Sequence, residues 1–428
     1  MSAERTSLSR LKAIVGGSIG NLVEWYDWYT YSAATLYFAP LFFPKGDQTA
    51  QLLQAAAIFA AGFAARPIGA WLMGLYADRA GRKQALTLSV AMMCIGSLVI
   101  AVTPGAREIG VWAPIILLLA RVFQGLSLGG EYGASATYMS EMAGRKHRGF
   151  WSSFNYVTLI GGQLVALGVL IVLRIALGEA AMAAWGWRIP FVVGAVLAIA
   201  AYFQRRRIEE SASFTQAKAA GARRANTWDL VSRHPRETLT ILGLTAGGSM
   251  IFYVYTTYMQ KYLTNTAGFT RDQATELSAA SLVVFMLAQP LFGWISDKVG
   301  RKTMLVVAFG GGALVTWPVM TMVGATHSPW EALGLITLAM LVQSGYTSIS
   351  AVVKAELFPT HVRTLGVALP YAIANAAFGG TAEYVALWFK QAGIESGFFI
   401  YASALLAIGF LVALTMRDTK VHSQIAED

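Results

Sequence analysis

The stretch Gly74-Leu75-Tyr76-Ala77-Asp78-Arg79-Ala80-Gly81-Arg82-Lys83 decides the fold, because half a chain later it returns as Gly293-Trp294-Ile295-Ser296-Asp297-Lys298-Val299-Gly300-Arg301-Lys302. Each copy is a charged turn between long apolar runs. A second pair of landmarks repeats at nearly the same offset. Glu141 and Arg148 are seven residues apart, as are Glu356 and Arg363, with Gly149 and Gly366 close behind. Asp78 and Asp297 stand 219 positions apart, Glu141 and Glu356 215. Such internal symmetry reads as a duplicated membrane bundle whose two halves flank one pathway.

Composition leads to the same class. Hydrophobic residues make up 56% of the chain and charged residues 13%, and the mean hydropathy is +0.52. That excludes an ordinary soluble domain; lipid is the solvent. A span needs roughly 20 apolar residues, which places twelve helices near 13–40, 53–77, 84–103, 112–141, 149–176, 187–204, 238–264, 273–297, 303–323, 330–357, 362–390 and 396–416. The expected organisation is an all-α membrane protein. A six-helix bundle covers 1–204, a cytoplasmic linker 205–237, and a second six-helix bundle 238–428 with a short cytoplasmic tail. The linker carries Arg205-Arg206-Arg207 and Arg223-Arg224, a composition suited to anionic lipid.

The net charge of +10 does not imply nucleic acid, because topology accounts for where the charges sit. Of the 33 Lys and Arg, 23 fall at the N-terminus, on alternate loops and in the tail. Seven lie on the other side: Lys45, Arg107, Arg174, Arg188, Lys261, Arg271 and Lys390. That bias predicts a multi-pass protein with both termini cytoplasmic. Arg66, Arg121 and Lys354 complete the count and fall within predicted spans. Arg10 and Lys12 before an apolar run imitate a signal peptide, but Glu24 and Asp27 interrupt it, so an uncleaved first helix is expected. The single cysteine, Cys94, permits no intramolecular disulfide, and the five histidines are scattered through loops, turns and tail. With no metal-ligand spacing, phosphate loop or nucleophile constellation, neither an enzyme nor a cofactor is expected. A nutrient sensor would need an output domain, and no soluble segment is long enough to fold alone.

Chemistry in such a chain means charge inside the membrane, where each ionisable group costs about 2.5–3.5 kcal/mol on insertion scales. Glu24 and Asp27 lie at i, i+3 on the first span, hence on one face. Arg66 and Arg121 are mid-depth in the second and fourth spans, Glu131 is deeper in the fourth, and Glu383 is in the outer half of the eleventh. Ion pairs that merely lock helices compete with a transport role for all of them. Gly125, Gly129 and Gly133 recur every four residues and read as a packing face that seats the fourth helix, and Arg121 with it, at a fixed distance from its neighbours. Tyr253, Tyr255, Tyr258 and Gln260 on the seventh span, Asn155 and Gln163 on the fifth, and Tyr371 and Asn375 on the eleventh could line a cavity or anchor at the interfaces. Asp78, Arg82, Asp297 and Arg301, with Glu141, Arg148, Glu356 and Arg363, stand at helix ends on the cytoplasmic side and suit a gate.

Several longer stretches carry a resemblance: Gly20-Asn21-Leu22-Val23-Glu24-Trp25-Tyr26-Asp27, Arg66-Pro67-Ile68-Gly69, Arg121-Val122-Phe123-Gln124-Gly125, Gly129-Gly130-Glu131-Tyr132-Gly133 and the two loop motifs. Ala136–Glu141, Tyr156–Gln163, Tyr258–Leu263 and Gly379–Ala386 add to them. Over about residues 11–416 the chain resembles the metabolite:H+ symporter branch of the major facilitator superfamily, and within it the members that carry alpha-ketoglutarate. The resemblance implies two pseudo-symmetric six-helix bundles that import 2-oxoglutarate with protons across a bacterial inner membrane. Its partners would be a small dicarboxylate, protons and the lipid bilayer, with no nucleic acid, and it would act as a monomer. Arg66 and Arg121 would grip the carboxylates bidentately, helped by Asn155, Gln163, Tyr253, Tyr258, Tyr371 and Asn375. Asp27, Glu24 and Glu131 would couple protons: an ionised Asp27 occupies Arg121, and protonation releases it. Other members of the branch carry shikimate, citrate or proline and betaine. Citrate calls for a third cation, of which the sequence offers no obvious mid-membrane example, and the proline/betaine branch has a long helical extension that is not matched by the dozen residues after the last span.

Overall fold

The computed structural model describes residues 7–80, 82–128, 136–137, 139–140, 144–206, 227–359 and 362–425. Among them, nine helices are long and apolar enough to span a bilayer: Gln48–Met73, Arg148–Ala184, Gly186–Phe203, Pro235–Asn265, Arg271–Val299, Arg301–Ala325, Pro329–Glu356, Arg363–Gln391 and Glu395–Thr415. The first helix, Ser7–Phe42, and two shorter apolar ones, Thr87–Val102 and Trp112–Ser127, bring the total to twelve in the expected order. They are numbered first to twelfth below.

Packing repeats across the two halves as the motifs do. The first helix lies on the fifth and the seventh on the eleventh; the third lies on the sixth and the ninth on the twelfth; the second lies on the fourth and the eighth on the tenth. The halves meet where the fifth helix packs on the eighth and the second on the eleventh, pairs that the internal twofold exchanges. Exposure sorts the helices radially. The seventh and tenth windows are 72% and 78% buried, whereas the ninth and twelfth are 33% and 39% buried and turn Leu314, Trp317 and Leu411 outward. Apolar side chains exposed on that scale need lipid around them.

Three backbone features shape the interior. Gly300 in the repeated motif has φ 96°, a conformation costly for any residue with a Cβ, and it separates the eighth helix from the ninth so that Arg301 opens the next helix at once. Gly125 packs against the second helix so closely that a Cβ there would overlap the Gly62 carbonyl oxygen. The expected small-residue seating of the fourth helix is thus present at Gly125, while Gly129 and Gly133 lie outside the described residues. The seventh and eleventh helices each contain one π-helical segment, Val254–Tyr258 and Asn375–Gly379. Such segments widen a helix by one residue per turn and re-aim its side chains.

Candidate functional site

Trp28 on the first helix is the hub of the buried charges. Arg66 Cζ lies 4.1 Å from its ring centroid and Arg121 Cζ 3.9 Å, so the two carbons are at most 8.0 Å apart, the sum of the two distances. Phe63 supports Arg66 at 4.1 Å and Tyr31 supports Arg121 at 4.5 Å. Desolvated cation–π contacts stabilise by about 2 kcal/mol. They hold the guanidinium faces and leave the N–H edges available.

Each arginine faces one carboxylate of the first helix. Arg66 Nη1 is 3.8 Å from Glu24 Oε1, and Arg121 Nη1 is 3.7 Å from Asp27 Oδ2. Those separations exceed hydrogen-bond length, so the pairing is electrostatic. Gln124 bridges the second pair: it accepts from Arg121 Nη1 at 2.8 Å and donates through Nε2 to Asp27 Oδ2 at 2.8 Å, and Ser97 donates to Asp27 Oδ1. Glu24, Asp27, Arg66 and Arg121 are all buried, Arg121 completely. Among the described residues, the Nε and Nη2 atoms of both arginines, which are buried, have no hydrogen-bond partner. Nε and Nη2 form the edge with which a guanidinium grips a carboxylate side-on. Buried donors left unpaired are costly, and an anionic oxygen at these two edges would satisfy them.

Helix geometry produces the arrangement. Glu24, Trp28 and Ser32 are successive i, i+4 positions on one face, and Asp27 and Tyr31 run alongside. Arg121 comes into line because Gly125, one turn on, lets the fourth helix touch the second; the Arg121 carbonyl also lies 3.1 Å from the point a Cβ on Gly62 would occupy.

One turn beyond Trp28 is a second buried cluster that the sequence placed differently. Lys261, counted there among the cations of the opposite side, is fully buried. Its Nζ is 3.0 Å from Glu383 Oε2 and donates to Ser32 Oγ, and Ser32 donates to Glu383 at 2.9 Å. The first, seventh and eleventh helices are thereby tied across the two halves. Lys354 of the tenth helix is also buried; it donates to Ser350 Oγ at 2.8 Å and sits 4.3 Å over the Tyr371 ring. The expectation that no third cation stands out mid-membrane thus meets two buried lysines, of which Lys354 was already placed within a span and Lys261 was counted on the opposite side. Lys354 follows Val353 and Lys261 follows Gln260, and nothing local in the chain distinguishes a buried lysine from one at a span end. Removing one member of the Lys261–Glu383 pair strands a buried charge at a cost of about 3–5 kcal/mol, whereas removing both does not. Lys261→Met and Glu383→Gln are each expected to lower the unfolding temperature in detergent, and the double variant to recover most of the loss. Additive losses in that cycle would show the two groups to be energetically independent.

Described residues of the two halves are in contact at both ends of the bundle. On the face bearing the repeated motif, Asp297 Oδ1 and Oδ2 accept from the backbone N–H groups of Gly149 and Phe150 at 2.8 and 2.9 Å, so a carboxylate of one half caps a helix of the other. Arg301 holds Asp297 at 2.8 Å and lies 3.8 Å from Glu356, which also faces Arg148 at 3.5 Å. Arg363 donates to the carbonyls of Ala355 and Phe358. At the other end the halves are joined by Thr49 with Asn265, Arg271 with Glu179 and Arg174 with Asp272. A Cβ on Gly149 would come within 2.5–2.6 Å of Ser296 Oγ, Arg301 Nη1 and the Gly293 carbonyl. Gly149→Ala and Asp297→Asn are expected to reduce turnover at least about tenfold with equilibrium substrate affinity nearly unchanged, since neither touches Arg66 or Arg121. Weakened equilibrium binding at normal turnover would contradict a gating role.

The other sequence candidates divide. Tyr253 joins the centre, its ring 6.2 Å from Trp25 and 5.4 Å from Phe63. Asn375 lies beside it: a Cβ on Gly379 would meet both side chains. Gln163 is buried, with Oε1 lacking a hydrogen-bond partner, next to Gly162, which packs on the backbone of Leu22 and Tyr26. Asn155 is buried nearer the motif face, where its carbonyl accepts from Asn21, and Tyr371 lies under Lys354. Tyr258 is directed elsewhere, toward Glu395 at 3.4 Å. Glu131 and Glu141 lie outside the described residues, as do the side chains of Asp78 and Arg82. Residues that sequence reasoning gave no role are Trp28, Ser97 and Gln124. Of these, only Gln124, at i+3 from Arg121, carried a spacing signal.

The profile of the Major Facilitator Superfamily matches residues 18–369 and 262–427. The alpha-ketoglutarate permease of Escherichia coli (strain K12) is 53% identical over 95% of this chain and 94% of its own. The shikimate transporter of the same organism is 31% identical over 97% of this chain and 96% of its own. Among solved structures, a proton:xylose symporter, XylE, bound to 6-bromo-6-deoxy-D-glucose superposes with a TM-score of 0.77 at 19% identity, covering 98% of both chains, a likeness of fold. With a repeated loop motif, twelve helices in two related sets and charges buried between them, the chain belongs to the major facilitator superfamily of membrane transporters.

Proposed function

We propose that this protein imports 2-oxoglutarate together with protons across the bacterial cytoplasmic membrane, by alternating access, with the motif face and both termini in the cytoplasm. The observation that carries the substrate class is the pair of unpartnered guanidinium edges within 8.0 Å of each other across Trp28, the sum of their ring distances. A short dicarboxylate places one carboxylate on each edge. Identity of 53% to an alpha-ketoglutarate permease favours 2-oxoglutarate among such dianions.

Charge balance supplies the coupling. Glu24, Asp27, Arg66 and Arg121 sum to zero when all are ionised, so a dianion entering that site adds two uncompensated negative charges. Protonating both acids leaves two positive charges, which a dianion neutralises. Substrate and protons thereby favour each other's binding through shared arginines, and the two acids, one turn apart, titrate as a coupled pair. The loaded site can then cross between the two gates as a neutral unit. One proton per dianion would instead move a net charge of −1 inward against a potential worth about 2.3 kcal/mol per 100 mV. In this scheme Tyr253, Asn375 and Gln163 supply neutral hydrogen bonds, and the Lys261–Glu383–Ser32 cluster closes the periplasmic side above the site.

The test is uptake of labelled 2-oxoglutarate into proteoliposomes, with succinate, citrate, shikimate and proline as unlabelled competitors and an imposed proton gradient. Competition by 2-oxoglutarate over the others, with uptake driven by the pH gradient and unaffected by membrane voltage, as two protons per dianion require, is the expected result. Preference for a zwitterion, or a one-to-one ratio with inward negative current, would overturn the scheme.

A further inference from the structure

The segment after the twelfth helix, residues 416–425, is folded back over the motif face and bonds to the charged members of the gate described there. Asp418 Oδ1 accepts from the backbone N–H of Arg301 at 3.1 Å, at the start of the ninth helix. Thr419, buried, donates to Glu356 Oε2 at 2.7 Å, and the Gln424 N–H donates to the Glu356 carbonyl at 2.9 Å. Arg363 Nη2 donates to the Gln424 carbonyl at 2.9 Å. All of these partners belong to the C-terminal half. Two further contacts reach the other half: Arg148 Nη1 donates to Ser423 Oγ at 3.2 Å, and Ile425 is buried in a cluster with Ala136, Ala351, Ala355 and Val367. Ala136 belongs to the N-terminal half and the other three to the tenth and eleventh helices. Four small or β-branched neighbours leave a crevice between the halves, and Ile425 fills it.

We propose that residues 416–425 form a latch that holds the gate on the motif face closed and must release the N-terminal half each time the carrier opens on that side. Opening separates the halves there. A segment anchored to Glu356, Arg363 and Arg301 stays with the C-terminal half, so the Ser423–Arg148 bond and the Ile425–Ala136 contact are the ones that break. Their contribution exists only in the closed state, and a contact present in one of two states shifts the equilibrium between them by its differential free energy. The latch also shields the Glu356–Arg148 pair, whose attraction strengthens as water is excluded. The inference rests on the alternating-access reading and goes beyond it by giving the segment a part in the conformational equilibrium.

The experiment uses full-length protein with Cys94→Ser and a reporter, Ser153→Cys, whose side chain is fully buried where the fifth helix packs on Gly293 of the other half. Labelling by a membrane-impermeant maleimide is followed in inside-out vesicles. Removal of residues 421–428 and Ile425→Asp are each expected to raise the labelling rate about tenfold, and Ser423→Ala by a smaller factor, in that order. The same truncation should weaken apparent affinity for substrate added from the periplasmic side, because less of the protein is open there. Labelling unchanged by both the truncation and Ile425→Asp overturns the latch. Because a truncation can fail through misfolding, Ile425→Leu is included; it keeps the plug apolar and should label as slowly as the parent, and a raised rate there would count against the proposal. Counterflow of 2-oxoglutarate by the parent reports separately on the transport reading, so failure of one is distinguishable from failure of the other.

Discussion

Arg121→Lys is expected to lower 2-oxoglutarate uptake by at least about 30-fold while leaving membrane insertion intact. Lysine keeps the positive charge facing Asp27 but loses the planar edge, the bond to Gln124 and the stacking on Trp28 and Tyr31. A charge-assisted hydrogen bond contributes about 1.5–3 kcal/mol, and each 1.4 kcal/mol is roughly tenfold in binding, so a loss of about 2 kcal/mol corresponds to about 30-fold. Arg66→Lys should act in the same direction by the same route, through Trp28 and Phe63. The discriminating measurement is equilibrium binding of labelled dicarboxylate to purified variants alongside uptake. Normal binding by both variants would remove the arginine edges from the substrate site.

Asp27→Asn should abolish concentrative uptake while preserving counterflow. Asparagine is nearly isosteric, accepts from Gln124 Nε2 through its single amide oxygen while its amide nitrogen donates to the Ser97 hydroxyl, and is permanently neutral, so Arg121 loses its fixed countercharge. The site then binds the dianion with no requirement for a proton at this position, and a pH gradient no longer drives accumulation through it. In proteoliposomes the internal-to-external ratio should fall to about that of a preparation without a gradient, with exchange of internal for external substrate retained. Accumulation as strong as that of the parent would transfer the coupling role to Glu24, which faces Arg66 at 3.8 Å. Glu24→Gln is the companion variant: in a two-acid scheme it also weakens coupling, and by removing one of the two protons it leaves a net charge of −1 on the cycle, so uptake becomes sensitive to membrane voltage.

Much of the candidate site was legible because charge inside an apolar run is conspicuous. Glu24, Asp27, Arg66 and Arg121 stand out in the chain, and the structure brings all four around one tryptophan. Trp28 itself was not legible, since an aromatic residue on a first span reads equally well as an interface anchor. Ser97 and Gln124 were missed for a related reason. A hydroxyl and a primary amide are common in spans and acquire meaning only from the carboxylate they reach. Lys261 was misplaced because a lysine three turns or fewer from a span end can carry its ammonium to the interface. Here Glu383 and Ser32, from two other helices, hold it inside instead.

The twelve spans, their order, the duplication and the four central charges follow from the sequence by itself. Hydrocarbon forces each crossing to be one contiguous apolar helix, and a repeated helix end leaves its mark within ten consecutive residues. Which charge faces which, and across which boundary, was decided only in three dimensions. Glu24 and Asp27 share a face, yet their assignment to Arg66 and Arg121 depends on how far the second and fourth helices close up at Gly62 and Gly125. The capping of the fifth helix by Asp297 and the seat of Ile425 between the halves likewise join residues more than a hundred positions apart. Backbone approach and helix rotation set those partnerships, and neither is written in the spacing of residues along a single helix.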